Sequence, residues 1–173
     1  MKKQLRHLFY FIILIIVDQV SKYLVSTNLK GNEPIPIIPK VLRLEYLENT
    51  GAVWGIFKGQ VFFLSILTSV IFIGLIYLYF KIPKDKKFNA LKIVMVFLMA
   101  GAVGNMIDRI TIGYVVDFIY FELINFPVFN LADCYVSVTA VLLVLLSLFY
   151  YKEDDFAFLD QIFSFKKKKK DTE

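Results

Sequence analysis

Two stretches of this chain, residues 59–80 and 134–151, carry no charged side chain and are almost wholly apolar. A helix needs about 20 residues to cross a hydrocarbon layer. In lipid every backbone N–H and C=O must find its partner within the segment, so each stretch reads as a membrane-spanning helix. Two further spans are less pure. Residues 8–25 are interrupted by Asp18 and Lys22, and residues 88–107 carry Lys92 near their start. There a lysine leaves its stem among apolar neighbours while its ammonium reaches the interface. With 58% apolar and 17% aromatic residues in 173 and a mean hydropathy of +0.63, the chain is too hydrophobic for an ordinary soluble domain of this size. The expected fold class is an all-α polytopic membrane protein of four transmembrane helices with a small extracytoplasmic sheet-and-loop region. Residues 1–151 are expected to form one integral-membrane domain and residues 152–173 a charged cytoplasmic tail.

A formal net charge of +5 would suit nucleic acid, but the positions of the lysines argue for topology instead. Lys2, Lys3 and Arg6, then Lys81, Lys84, Lys86 and Lys87, and finally Lys152 and the run at 166–170 all flank one side of a four-span arrangement. By the positive-inside bias both termini and the central loop are expected in the cytoplasm, and no nucleic-acid partner is expected. The basic, then apolar, N-terminus imitates a secretory signal. The run continues past Asp18 without a small-residue cleavage site, so it is expected to remain as an anchor. One cysteine and one histidine can form neither an internal disulfide nor a zinc site of the usual ligands, and no metal or organic cofactor is expected.

With this topology the polar groups converge. Asp18 and Lys22 lie toward the outer end of the first helix. The third helix finishes outside with Asn105, Asp108 and Arg109, and the fourth begins outside with Asn130 and Asp133, Asp117 lying in the connection before it. Ionisable side chains are costly in lipid and persist where they face a partner, a cavity or a reaction. Asn105, Asp108 and Arg109 share one helix face, and Asn130 and Asp133 do so if their helix has begun there. Asp18 and Lys22, four residues apart in the favourable order, read as a structural ion pair. The stretch Ala100, Gly101, Ala102, Gly104 lets a neighbouring helix approach closely.

Two outer segments connect the spans. Residues 26–60 contain Pro34, Pro36 and Pro39, then the alternating Val41-Leu42-Arg43-Leu44-Glu45-Tyr46-Leu47, which reads as a short strand. Asn49-Thr50-Gly51-Ala52-Val53-Trp54-Gly55 breaks that pattern: it is either a turn with an interfacial tryptophan or a loop that holds Asn49 over the mouth of the bundle. Between residues 110 and 129, strand-like Tyr114-Val115-Val116 and Phe118-Ile119-Tyr120 flank Asp117. The final residues, with acidic 153–155 followed by Phe156-Ala157-Phe158-Leu159 and five lysines, fit either an interfacial helix drawn to anionic lipid or a solvated tail.

Asp18-Gln19-Val20-Ser21-Lys22, Asn49-Thr50-Gly51-Ala52-Val53-Trp54, Gly101-Ala102-Val103-Gly104-Asn105-Met106-Ile107-Asp108-Arg109, Val115-Val116-Asp117-Phe118-Ile119 and Phe129-Asn130-Leu131-Ala132-Asp133 resemble, in order and spacing, the five boxes of signal peptidase II. The resemblance implies an aspartyl endopeptidase of the bacterial cytoplasmic (inner) membrane, and a monomer is expected. Its substrates would be diacylglyceryl-modified prolipoproteins, cut N-terminal to the lipidated cysteine, with the active site toward the outer leaflet. It implies Asp117 and Asp133 as the catalytic pair, Asn49, Asn105, Arg109 and Asn130 as substrate-site residues, and Asp108 as a supporting group beside Asp18 and Lys22.

The chemistry is consistent with this. Hydrolysis by two carboxylates needs one ionised, to take a proton from water, and one protonated, to polarise the scissile carbonyl, and like charges sharing a small site separate their titrations to provide both. A Ser-Lys dyad from Ser21 and Lys22 is the enzymatic rival, but adjacent helical residues do not face each other. A small transporter would show internal repeats and broken helices, which are not evident. A non-catalytic membrane subunit would not need so many polar groups at one mouth.

Overall fold

The computed structural model describes residues 2–52 and 56–159. Four long helices, α1 (Lys2–Asn28), α2 (Val61–Lys81), α3 (Asn89–Thr111) and α4 (Leu131–Phe149), are each long and apolar enough to cross a membrane. α2 stops where Pro83 cannot continue it, and the Ile82 N–H closes its last turn by donating to Leu78 O at 3.0 Å. After α1 and α3 the chain turns at Gly31 and Gly113, both in the left-handed region with φ of 77° and 83°.

α3 is the central post: α1, α2 and α4 all pack against it, and its buried residues include Ala100, Gly101 and Gly104. The expected close approach occurs at these glycines. A Cβ on Gly101 would lie 2.6 Å from the Ala132 carbonyl oxygen of α4, and one on Gly104 would lie 2.5 Å from Asp18 Oδ2. The outward faces of the other helices remain apolar and open, as at Phe62, Ile73 and Phe149, which suits lipid and would be anomalous in water.

The polar end of the bundle is capped by a three-stranded antiparallel sheet ordered β1 (Ile35–Ile38), β2 (Leu42–Asn49) and β3 (Val115–Phe121). β2 and β3 fall where alternation placed strands. β1 lies in the proline-containing segment for which no strand was expected; Pro36 sits on the sheet edge, where its missing N–H costs no ladder bond. A bulge between Leu44 and Leu47 shifts the β2–β3 register by one residue. As a result Asn49 pairs with Val115 and lies on the same sheet face as Asp117, which the unbulged register would have placed on the opposite face. Val25 and Leu29 of the first helix and its exit pack against Val116 and Phe118, seating the sheet on the bundle.

At the other end the packed structure continues past Tyr151. Phe88 stacks on Tyr151, Phe156 and Phe158 pack against the same cluster, and Lys87 pairs with Asp155. The first residues of the expected tail are therefore docked on the bundle, while the lysine run at 166–170, like Val53 and Trp54, lies outside the described residues.

Candidate active site

Asp18, Lys22, Asn105, Asp108, Arg109, Asn130 and Asp133 all come to the sheet-capped end, while Lys92 lies at the other end, as its place near the start of the span implies. α4 begins with a capping box: Asn130, in extended conformation, accepts from the Asp133 N–H at 3.1 Å, and Asp133 Oδ2 accepts from the Asn130 N–H at 3.1 Å. Such a box satisfies helix donors that would otherwise be orphaned at the apolar boundary. It also fixes the Asp133 carboxylate. The relation between Asn130 and Asp133 is thus a cap rather than a shared helix face.

β3 is held beside this cap by paired backbone bonds between Ile119 and Phe129, of 2.8 and 3.0 Å. That places Asp117, only 1% exposed, against Asn130. Its Oδ1 accepts from Asn130 Nδ2 at 2.6 Å and its Oδ2 from Asn49 Nδ2 at 2.8 Å. Asn49 is oriented in turn by the Gly51 N–H, which donates to Asn49 Oδ1 at 2.9 Å. Asn130 therefore touches both carboxylates: its amide holds Asp117 and its backbone N–H holds Asp133. Burial, reinforced by the charge of Asp133 and opposed by the two asparagine amides, pushes the Asp117 carboxyl up to about 7.

Asp133 Oδ1 accepts from Asn105 Nδ2 at 2.7 Å. Asn105 Oδ1 accepts from Lys22 Nζ at 2.9 Å and Asn130 Nδ2 at 3.1 Å. Lys22 also pairs with Asp18 Oδ2 at 2.9 Å and Asp108 Oδ2 at 3.0 Å, all three side chains being nearly inaccessible. The Asp18–Lys22 ion pair expected from spacing is present, and Asp108 makes it a triad. Asp18 Oδ1 accepts from the Ala132 N–H at 3.0 Å and Asp108 Oδ2 from the Val116 N–H at 3.1 Å. The triad thus joins α1 and α3 to the start of α4 and to the strand residue next to Asp117. Buried charges with this many partners set geometry more than they add stability.

Sequence reasoning gave no role to Gln19, although it stands in the first box. Its Nε2 donates to Asp108 Oδ1 at 2.9 Å, Gly104 O at 3.1 Å and Asp18 Oδ2 at 3.2 Å, a second tie between α1 and α3. Arg109 donates through Nη2 to Gly51 O at 3.2 Å, and its buried Nε has no hydrogen-bond partner among the described residues. Ser21 donates to the Asp18 carbonyl at 2.6 Å and Lys22 is occupied by carboxylates and Asn105. The rival Ser-Lys dyad has no geometric basis.

At the capped end of a four-helix membrane bundle, two buried carboxylates are bridged by one asparagine, and comparison with known proteins gives the class, a membrane protease. The model of the signal peptidase (SPase) II family matches residues 10–149. A lipoprotein signal peptidase of Fusobacterium nucleatum is 38% identical over 148 residues, 85% of this chain and 88% of the relative. Another, from Staphylococcus aureus, is 37% identical over 137 residues, 78% and 82% of the two chains. Two solved structures of a bacterial membrane enzyme superpose with a TM-score of 0.73, at 32% identity over 97% of this chain and 34% over 84%, each covering 94% of the solved chain. The chain belongs to the signal peptidase II family.

Proposed function

We propose that Asp117 and Asp133 are the pair with which this protease removes signal peptides from prolipoproteins. The observation that carries the assignment is the Asn130 bridge, whose amide is 2.6 Å from Asp117 and whose N–H is 3.1 Å from Asp133. One residue holds both carboxylates at a common mouth. At neutral pH Asp117, pushed up to about 7, is the carboxyl that supplies the shared proton. Asp133, receiving a backbone N–H and an amide in the first turn of α4, is the one that takes a proton from water.

In the reaction the water oxygen attacks the scissile carbonyl carbon as its proton passes to Asp133, while Asp117 protonates the carbonyl oxygen. Collapse of the tetrahedral intermediate returns that proton to Asp117. Asp133 protonates the leaving amine as the C–N bond breaks, which regenerates the pair. Arg109, whose Nε has no hydrogen-bond partner among the described residues, orients the peptide together with Asn49, Asn105 and Asn130. Cleavage falls N-terminal to the lipidated cysteine of diacylglyceryl-modified substrates, the acyl chains remaining in the bilayer beside the apolar helix faces. The protein acts as a monomer in the bacterial cytoplasmic (inner) membrane, with both termini in the cytoplasm and the sheet-capped end at the outer leaflet. The segment from residue 152 lies on the cytoplasmic side, its first residues packed on the bundle.

The test is conversion of a lipidated precursor by purified Asp117→Asn, Asp133→Asn and the double variant. Each single variant should elute as folded protein and lose processing, and the double should be hardly worse, because groups that act as a unit are not additive. Appreciable turnover by either single variant would remove that residue from the mechanism.

A further inference from the structure

At the end of the bundle away from the carboxylates, α1 and α2 pack on α3 more than on each other. Between them runs a cleft of about 670 Å³ lined by Leu8, Phe11, Phe72, Ile76, Val96 and Met99. Phe11 and Phe72 face each other across it with ring centroids 6.2 Å apart. This volume is within the range of roughly 300–1,000 Å³ that holds a ligand with most of its surface buried.

The cleft opens into a second cavity of about 260 Å³ lined by Lys2, Lys3, Lys84 and Lys92, with Gln4 and Asn89. His7 and Tyr79 stand at the seam and line both. Among the described residues no carboxylate lines either cavity. Among the described residues none of the four lysines is paired with an acidic side chain. Lys3 reaches Asn89 Oδ1 at 3.4 Å, and Lys92 sits 5.8 Å from the Tyr79 ring centroid. His7, 3% exposed, shares a 2.7 Å hydrogen bond with the Tyr79 hydroxyl through Nδ1, while its Nε2 has no partner among the described residues.

We propose that this composite cavity binds one anionic phospholipid, with its phosphate among Lys2, Lys3, Lys84 and Lys92 and an acyl chain in the α1–α2 cleft. Charge complementarity selects the headgroup, and the contiguous apolar cleft selects a molecule with a tail over free phosphate. The signal peptide of a substrate is a poor occupant, because its own N-terminal region is basic and the lysines repel it. An acidic protein segment would satisfy the lysines and leave the apolar cleft unfilled. The bound lipid fills the gap between α1 and α2 and so braces α1, whose far end carries Asp18 and Lys22. The site is separate from the carboxylate pair and stands whether or not Asp117 and Asp133 are catalytic.

The experiment is native mass spectrometry of the full chain in detergent, titrated with dioleoyl phosphatidylglycerol against dioleoyl phosphatidylcholine. A single phosphatidylglycerol should be retained at least about tenfold better than phosphatidylcholine, given the attraction of each lysine for anionic lipid. Lys3→Gln/Lys92→Gln should bring the two lipids within about twofold; Lys2→Gln/Lys84→Gln serves if that variant fails to fold. Replacing the lysines at 166–170 by glutamine should leave the preference in place, and excess inorganic phosphate should displace the lipid poorly. Equal retention of both lipids, a preference that survives either lysine pair, a preference that follows the 166–170 lysines, or ready displacement by phosphate alone would each overturn the proposal.

Discussion

Lys22 Nζ lies 2.9 Å from Asn105 Oδ1, and this contact decides which way the Asn105 amide faces. An ammonium offers only donors, so the amide turns its oxygen to Lys22 and its nitrogen to Asp133 Oδ1, 2.7 Å away. Lys22 therefore positions a proposed catalytic carboxylate through Asn105 while neutralising Asp18 and Asp108.

Lys22→Met should accordingly do two things. It strands two buried carboxylates, a loss of about 3–5 kcal/mol of stability, and it frees Asn105 to flip, lowering turnover per folded molecule. Thermal unfolding and precursor processing measure the two separately. Asp18→Asn added to Lys22→Met should recover part of the stability without restoring full turnover. An unchanged melting temperature in the single variant would show that the triad holds nothing in place.

The pH dependence follows from Asp117. Its ordinary unfolded value is about 3.9, and in the folded protein it is pushed up to about 7. Between those values the folded state holds a proton that the unfolded state has released, so stability falls as pH rises through this window and levels off above it. In Asp117→Asn this contribution to the slope disappears, whatever the variant's absolute stability. Melting temperatures at pH 5, 6, 7 and 8 test it. The wild-type rate should also fall above about pH 7, where both carboxylates are ionised. A flat rate from pH 6 to 9 contradicts the proton assignment.

Gly104→Ala places a methyl 2.5 Å from Asp18 Oδ2 and 3.2 Å from Ala132 Cβ. The crowding should cost about 1–3 kcal/mol, more than the roughly 1 kcal/mol of helix propensity gained. Because the displaced atom belongs to the triad, activity should drop together with stability. Gly74→Ala, with open space at its Cβ, is the control and should be neutral or slightly stabilising.

Orientation in the membrane is tested with single cysteines at Asn32 and Lys84 in a Cys134→Ala background. An impermeant thiol reagent applied to spheroplasts should label position 32 and leave position 84 protected. The reverse pattern would invert the proposed topology.

The span positions were legible because hydropathy is a local property: an uncharged apolar run has few options in or out of lipid. β2 and β3 were legible through alternation. β1 was not, because whether Pro36 is tolerated depends on its lying at a sheet edge. The site residues were visible as types and, through the resemblance of the five boxes, as a set, but not as a geometry. Asn49 faces Asp117 only because of a one-residue bulge in β2, Asn130 serves two carboxylates only because the Ile119–Phe129 bonds bring β3 to the start of α4, and Lys22 acquires its second carboxylate and Asn105 from α3. Thus the chain by itself determined how many helices cross the membrane and which polar residues they carry to one end. The tertiary structure alone decided which of those residues touch, since register, capping and helix approach depend on contacts between segments far apart in sequence.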